Sequence, residues 1–325
     1  MTFSQIPEQY AALGAEALYV VQSPEAADID LRLVASDGAT CLGMRRYVGV
    51  TEARCDAAPL LRRALRFEPA TDETGFTPVA GRTVTATAEA APAGSFPDPA
   101  DATAPTRIFI AGPPCGTGPS LRTTMPAERL IPAGAGEEIS IAMPEFGTVQ
   151  ATLIVRSGDR TEQHRYQAGS AGLFLFRLDL GEFPDAEEVT LDFGPIGRIH
   201  YTVVPARSES CRLAWQSSVG SIEHYTFPTV RDMRLHTEKS SAESIRGYTA
   251  RIGSRERILR IESAYEVPEV LEALAEITSS PAVWRMEDRQ YIPVDVTTRE
   301  ATIRRLGELC SLGLEIREKT RTTWS

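Results

Sequence analysis

Apolar and polar residues alternate with period two through most of this chain, the pattern of strands with one buried and one wet face. Ile29, Leu31 and Leu33 fall on one side of such a strand, and Asp30 and Arg32 on the other. Asp37-Gly38 follows, a dipeptide that turns hairpins because both residues tolerate positive φ. Residues 41–50 read as the returning strand. Residues 57–67 fit a short helix or an irregular strand, with Pro59 and Arg62-Arg63 leaving both open. Residues 84–88 then form a strand that closes the first segment.

Further strands are expected at 108–111, 139–143, 149–156, 161–167, 173–180, 189–193 and 199–204. Ser157-Gly158-Asp159 is a hairpin connector between two of them. Leu173, Phe174, Leu175 and Phe176 are apolar on both faces, which predicts a central strand. The sharpest local pattern is an apolar alternation at Cys211, Leu213 and Trp215, then Gly220, then Tyr225 and Phe227. It predicts strand, turn and strand, with Trp215 as core anchor.

Beyond it, Gly253-Ser254 is expected to turn the chain into a strand carrying Leu259, Ile261 and Tyr265. Val267, Val270, Leu271, Leu274 and Ile277 recur at helical spacing. Pro268 suits the first turn of that helix, and Pro281 stops it after Ser280. Ile292, Val294 and Val296 alternate again. Residues 303–316 fit a strand through Leu312, Leu314 and Ile316, or a helix through Ile303, Leu306 and Leu309.

With 325 residues the chain exceeds what one core usually supports. The expected division is an N-terminal β-sandwich-like domain (1–90), an Ala/Pro-rich linker (91–106), a central β-sandwich domain (107–206) and a C-terminal assembly domain (207–325). Pro92, Pro97, Pro99 and Pro105 are the reason for the linker, since proline cannot serve a central strand. The expected fold class is mainly β: Ig-like sandwiches followed by an α+β domain with one helix packed on strands.

Composition narrows the function classes. Hydrophobic residues at 42% and charged residues at 24% describe a folded globular chain. A net charge of −10 works against nonspecific attraction to nucleic acid or anionic membranes. Only Lys239 and Lys319 are lysines, so 32 of the 34 basic residues are arginine, the residue suited to fork-like pairing at interfaces. Five scattered cysteines form neither a disulfide framework nor a zinc pattern. Residues 1–7 lack a basic stretch followed by an apolar core, so no secretory leader is expected, and no apolar run reaches membrane-spanning length.

The candidate chemistry is thin. His164, His200, His224 and His236 lack metal-ligand spacing. His200 reads as a surface imidazole. His224, beside Glu223, reads as a loop residue, because neighbours on a strand point to opposite faces. Gly169-Ser170-Ala171-Gly172 has Ala168 where a nucleophile elbow needs glycine. Cys115 sits in a Gly/Pro turn with no base in sight. Asp28 and Asp30 share a face but are too few for calcium and read as solvated. Arg246, Arg251, Arg255, Arg257 and Arg260 make a basic hairpin in which Tyr248 is the one interleaved aromatic, a weak platform for bases. An interface with an acidic neighbour suits it better. The sequence therefore assigns no catalytic, cofactor-binding or metal-ligating residue, and no cofactor.

The C-terminal third is similar to structural proteins of bacterial prophages, in particular tail or baseplate-associated ones. The resemblance rests on Leu213, Trp215, Gly220, Tyr225 and Phe227, the helix at 268–280, Ser280-Pro281 and Ile292-Pro293-Val294. The opening, Ile6-Pro7 with Tyr10 and Leu18-Tyr19-Val20, resembles the start of such proteins. Where those proteins carry Asn after the Trp and paired glycines, this chain has Ser217, Ser218 and a single Gly220. The resemblance implies a noncatalytic component of a phage or prophage-derived particle, assembled in the bacterial cytoplasm. Other particle proteins and further copies of itself would be its partners. Trp215, Gly220, Tyr225, Phe227, Arg246, Arg251 and Arg257 are the assembly candidates. The competing class is a sandwich that binds carbohydrate or a cell-surface polymer.

Overall fold

The computed structural model describes residues 1–79, 81–96, 99–114, 116, 118–245, 247–287, 289–319 and 322–324. Side chains are described for all of these except 145–146, 170–171, 241–242, 244, 249–252 and 322–324. The chain is mainly β, its described residues arranged in three sheets of seven, seven and nine strands. Each sheet is organised around one long antiparallel hairpin.

In the first sheet that hairpin joins Leu18–Ala35 to Cys41–Asp56. Its turn is the expected one: Gly38 takes φ +70°, and the Asp37 carboxylate accepts from the amides of Ala39 and Thr40. Register shifts along the hairpin bend it, so one strand pair wraps the core of Tyr19, Ile29, Leu31, Leu33 and Phe109. Residues 57–67 resolve as a helix, Ala58–Leu61, continued as a 3₁₀ turn.

Two strand placements correct the sequence reading. Arg107–Ile110, expected to open the second segment, pairs with Thr83–Ala86 inside the first sheet. The strand Thr83–Pro92 runs into the supposed linker, and Ala102–Thr103 pairs back onto it. Proline is tolerated here because it falls at the strand's end and in the loop, where no ladder hydrogen bond is lost. In the other direction, Gly75–Thr77 crosses to pair with Leu175–Arg177 of the second sheet.

The second sheet is built on Gly136–Ser157 and Arg160–Asp179, joined at Gly158 with φ +57°. The expected pairs 139–143 with 149–156, and 161–167 with 173–180, are thus two continuous strands. A register shift between Met143 and Gly147 marks where the first of them bends. Leu173 to Phe176 are all buried, and their strand is central, flanked by partners on both edges.

The third sheet contains Cys211–Gln216 and Ile222–Phe227 as one hairpin. It also holds a long one, Thr229–Ser244 with Gly247–Glu262. Gly253-Ser254 lies within the second of these strands, paired with Lys239 and Glu238, so the expected turn does not form there. Residues 303–316 resolve into two strands, Thr302–Leu306 and Leu309–Glu318. The helix Pro268–Ala275 begins with Pro268 in its first turn and runs into a 3₁₀ turn at Glu276–Thr278. Val270, Leu271, Leu274 and Ile277 share one core with Trp215, Leu259, Leu312, Leu314 and Ile316.

Candidate functional site

The seven assembly candidates do not converge on one surface. Trp215 and Phe227 are fully buried in the third core. The Tyr225 ring packs edge-to-face on Phe227 at 5.1 Å. Its hydroxyl donates to Glu266 Oε1 at 2.6 Å and accepts from the Ala264 amide at 3.2 Å. Burial and the Glu266 carboxylate push that phenol well above its usual range. Trp215 and Phe227 hold the sheet together from inside the core, and partly buried Tyr225 packs against it. Arg257 is exposed on the long hairpin, 3.9 Å from Glu318. Arg246 lies outside the described residues, and for Arg251 only the strand position is described.

Gly220 has a different role, at the meeting point of all three sheets. It takes φ +80°, and a Cβ there would stand 2.7 Å from the Ala111 backbone at the end of the first sheet. Buried Arg122, from the second sheet, fastens the same point. Its Nε donates to Val219 O (3.0 Å), Nη1 to Pro113 O (2.9 Å) and Nη2 to Ala111 O (2.8 Å). Gly220→Ala is expected to cost about 1–3 kcal/mol from backbone strain, with the Ala111 clash added. Chemical denaturation measures it, and a loss below about 0.5 kcal/mol would mean that the junction yields freely.

Sequence reasoning missed a buried ionic seam between the sheets. Glu137 and Glu138 stand at the head of the strand Gly136–Ser157 and serve different partners. Glu138 takes both Arg82 Nη atoms, at 2.7 and 2.8 Å, and neither side chain exceeds 1% exposure. Glu137 accepts from Arg129 Nη1 at 2.7 Å and from Arg212 Nη2 at 3.0 Å. Arg129 also lies 3.6 Å from Glu223. The Glu223 carboxylate accepts from Thr123 Oγ1, the Thr124 amide and Ser221 Oγ. Burial pushes its carboxyl up, and the Arg129 guanidinium opposes the rise. The one available signal was Glu-Glu directly ahead of the apolar alternation Ile139, Ile141 and Met143.

His224 is a strand residue in this seam, not a loop residue, and is buried at 2% exposure. Its Nε2 lies 3.0 Å from the Tyr291 hydroxyl. Burial, reinforced by Arg212, Arg177 and Arg129, holds it neutral, well below the usual imidazole range. Asp30 is likewise not solvated. It is buried, gripped by Arg46 Nε and Nη2 at 2.7 Å each, with the Gly94 amide at 2.9 Å. His200 is half-buried against Thr190 Oγ1 at 2.9 Å, and Cys115 lies outside the described residues.

These carboxylates are engaged by guanidinium, hydroxyl and amide donors, so the seam acts as a fastener. Among the described residues no cluster of three or more His, Cys, Asp or Glu is arranged to hold a metal ion. No described helix is long and apolar enough to cross a membrane. In the second sheet, Phe76, Phe174, Phe176 and Phe193 stack edge-to-face with one another inside the core.

The exposed feature is the long hairpin of the third sheet, two strands of 16 residues each. Arg231 to Ser240 are all exposed, on both faces. Met233 and Leu235 are each 56% exposed, Tyr248 77%, and Ile245 is fully exposed at the tip. Thr229–Ser244 is also the last strand of the sheet, so its outer edge is unpaired among the described residues. At the foot of this arm is a groove of about 710 Å³, lined by Arg207, Arg212, Arg257, Arg285, Arg289 and Met233.

No protein-family model matches the chain, and neither does any curated protein. Among solved structures, the native conformation of E. coli alpha-2-macroglobulin aligns over 96% of this chain at 9% identity and a TM-score of 0.22. The chain spans about a quarter (26%) of that protein's length. The I9–I11 tandem of titin aligns over 99% of this chain and 96% of its own length at 8% identity, TM-score 0.18. A bacterial ice-binding adhesin aligns over 81% of this chain and 91% of its own length at 7% identity, TM-score 0.16.

Proposed function

We propose that this chain is a noncatalytic structural subunit of a phage or prophage-derived tail or baseplate-like particle, working by docking to neighbouring subunits. The observation that carries this reading is the arm. A long hairpin exposed on both faces, with apolar side chains and a bare edge strand, is a liability on an isolated protein. It makes sense where another chain covers it. The body behind it supports the same reading, because a seam of buried ion pairs and the Arg122 junction fasten the three sheets to one another. A rigid body with a projecting arm transmits position from one subunit to the next. In the finer fold reading, the first two sheets are Ig-like sandwich adaptors and the third, with its helix, is the α+β assembly unit.

The test is to replace the distal half of the arm with an Asn-Gly turn, which suits a two-residue hairpin connection. The intact chain is expected to co-sediment with tail-like particles and the trimmed one to stay behind, folded, by circular dichroism. An intact chain that never joins a particle, or a trimmed one that joins equally well, overturns the proposal.

A further inference from the structure

We propose that two copies of this chain pair through the groove at the foot of the arm, the arginine wall of each receiving the acidic turn beside the groove of the other. This rests on the assembly reading and deepens it by naming the partner as a second copy.

The first support is an uncovered sheet face. In the third sheet Met233 pairs with Leu259 and Leu259 with Ile316, so the three form one row across the strands. Leu259 and Ile316 belong to the core that the helix Pro268–Ala275 helps to close. The same face continues outward to Met233, Leu235 and Arg257, where the side chains are exposed. An apolar sheet face that runs out of its own cover is a contact surface.

The second support is charge. Arg285 Nη2 is held by Glu287 at 2.7 Å and Glu318 at 2.8 Å, and Arg289 Nη2 by Asp179 at 2.6 Å. Among the described residues Arg257 has only the 3.9 Å approach to Glu318. Exposed Arg207 engages no acceptor with its side chain among the described residues. Both therefore have donors to offer a carboxylate. Between Thr229 and Glu262 the arm carries eight basic against five acidic residues, in a chain of net charge −10. The groove itself is lined by five arginines against two glutamates, Glu209 and Glu287, and a basic groove on an acidic protein is complementary to acidic surface elsewhere on that protein.

The third support is an acidic turn beside the groove. From Leu178 to Gly197 the chain has six acidic residues and no basic one. Asp179, Glu188 and Asp192 are held by Arg289, Arg156 and Arg198. Asp185 and Glu187 are exposed, and neither carboxylate accepts a hydrogen bond among the described residues. Backbone bonds set this turn beside the groove. Leu180 N donates to Ala135 O at 3.0 Å and Val203 N to Glu187 O at 2.8 Å, while Ala135 and Ala206 line the groove itself. A basic wall and an acidic wall side by side are self-complementary under a two-fold rotation: each meets its opposite in the partner, and the contact closes.

The experiment uses the full chain and two charge reversals, Arg257→Glu and Glu187→Arg, in sedimentation velocity at low and high salt. The wild type is expected to sediment as a dimer that salt weakens. Each reversal alone sets like charges opposite one another twice and weakens the dimer by about tenfold or more. An equimolar mixture of the two variants restores both contacts and the dimer, which also shows that both variants are folded. A wild type that is monomeric at low salt, single reversals that leave the dimer intact, or a mixture that stays monomeric each overturns the pairing. A monomeric wild type that still joins particles would sink this pairing alone and leave the assembly reading standing.

Discussion

Glu137→Ala is expected to destabilise the protein by about 3–5 kcal/mol, because removing one partner of a buried ion pair strands the others. Here two guanidiniums lose a carboxylate partner. Arg129 and Arg212 converge on Glu137 with side-chain exposures of 3% and 8%, against 2% for the carboxylate itself. Arg129 retains Glu223 at 3.6 Å, while Arg212 keeps only Thr226 Oγ1 and the Gly136 carbonyl. The loss is a large share of the roughly 5–15 kcal/mol that a folded domain has in hand. Urea denaturation provides the measurement, with the midpoint falling. Glu137→Gln keeps an acceptor and is expected to cost less. Replacing Arg129, Glu137 and Arg212 together by apolar residues of similar volume is expected to recover much of the loss, since the penalty comes from unpaired charge. If Glu137→Ala costs under about 1 kcal/mol, the seam is no fastener and the rigid body assumed for assembly has to be given up.

Trp215→Ala is expected to cost about 3–5 kcal/mol through the cavity it opens. The side chain is fully buried in the core with Leu213, Val283, Val294, Leu274 and Ile316. Its Nε1 has no hydrogen-bond partner among the described residues. Trp215→Phe therefore keeps most of the apolar contact while removing a buried N–H, and its cost is expected to stay below that of the alanine variant. The pair of variants separates a core anchor from a docking residue. A Trp215→Ala protein of unchanged stability that failed to join its partners would reverse the assignment made here.

Local chemistry was readable where one residue decides a local conformation. Asp37-Gly38 and Ser157-Gly158 turn as read, Pro268 opens the helix, and the Cys211–Phe227 hairpin forms as its alternation requires. Each depends on φ freedom, a missing amide proton or period-two burial, all of which act within a few residues. The basic hairpin was also legible as a surface, through Arg257, although Gly253-Ser254, read as a turn, lies within a strand. Glycine and serine are permitted in a strand as well as in a turn, and cross-strand pairing chose between them.

The sequence by itself determined that this is a β-rich chain with an anchored hairpin, one helix and an arginine-bearing surface, because periodicity and turn chemistry are local. Only the tertiary structure decided which strands share a sheet, so Arg107–Ile110 joined the first and Gly75–Thr77 the second. It also decided that Asp30, Glu137, Glu138, Glu223 and His224 are buried. A charged side chain reads as solvent-facing until its counter-charge is known. Here the guanidiniums that make burial tolerable come from distant segments: Arg82 lies 56 residues from Glu138, and Arg212 lies 75 from Glu137.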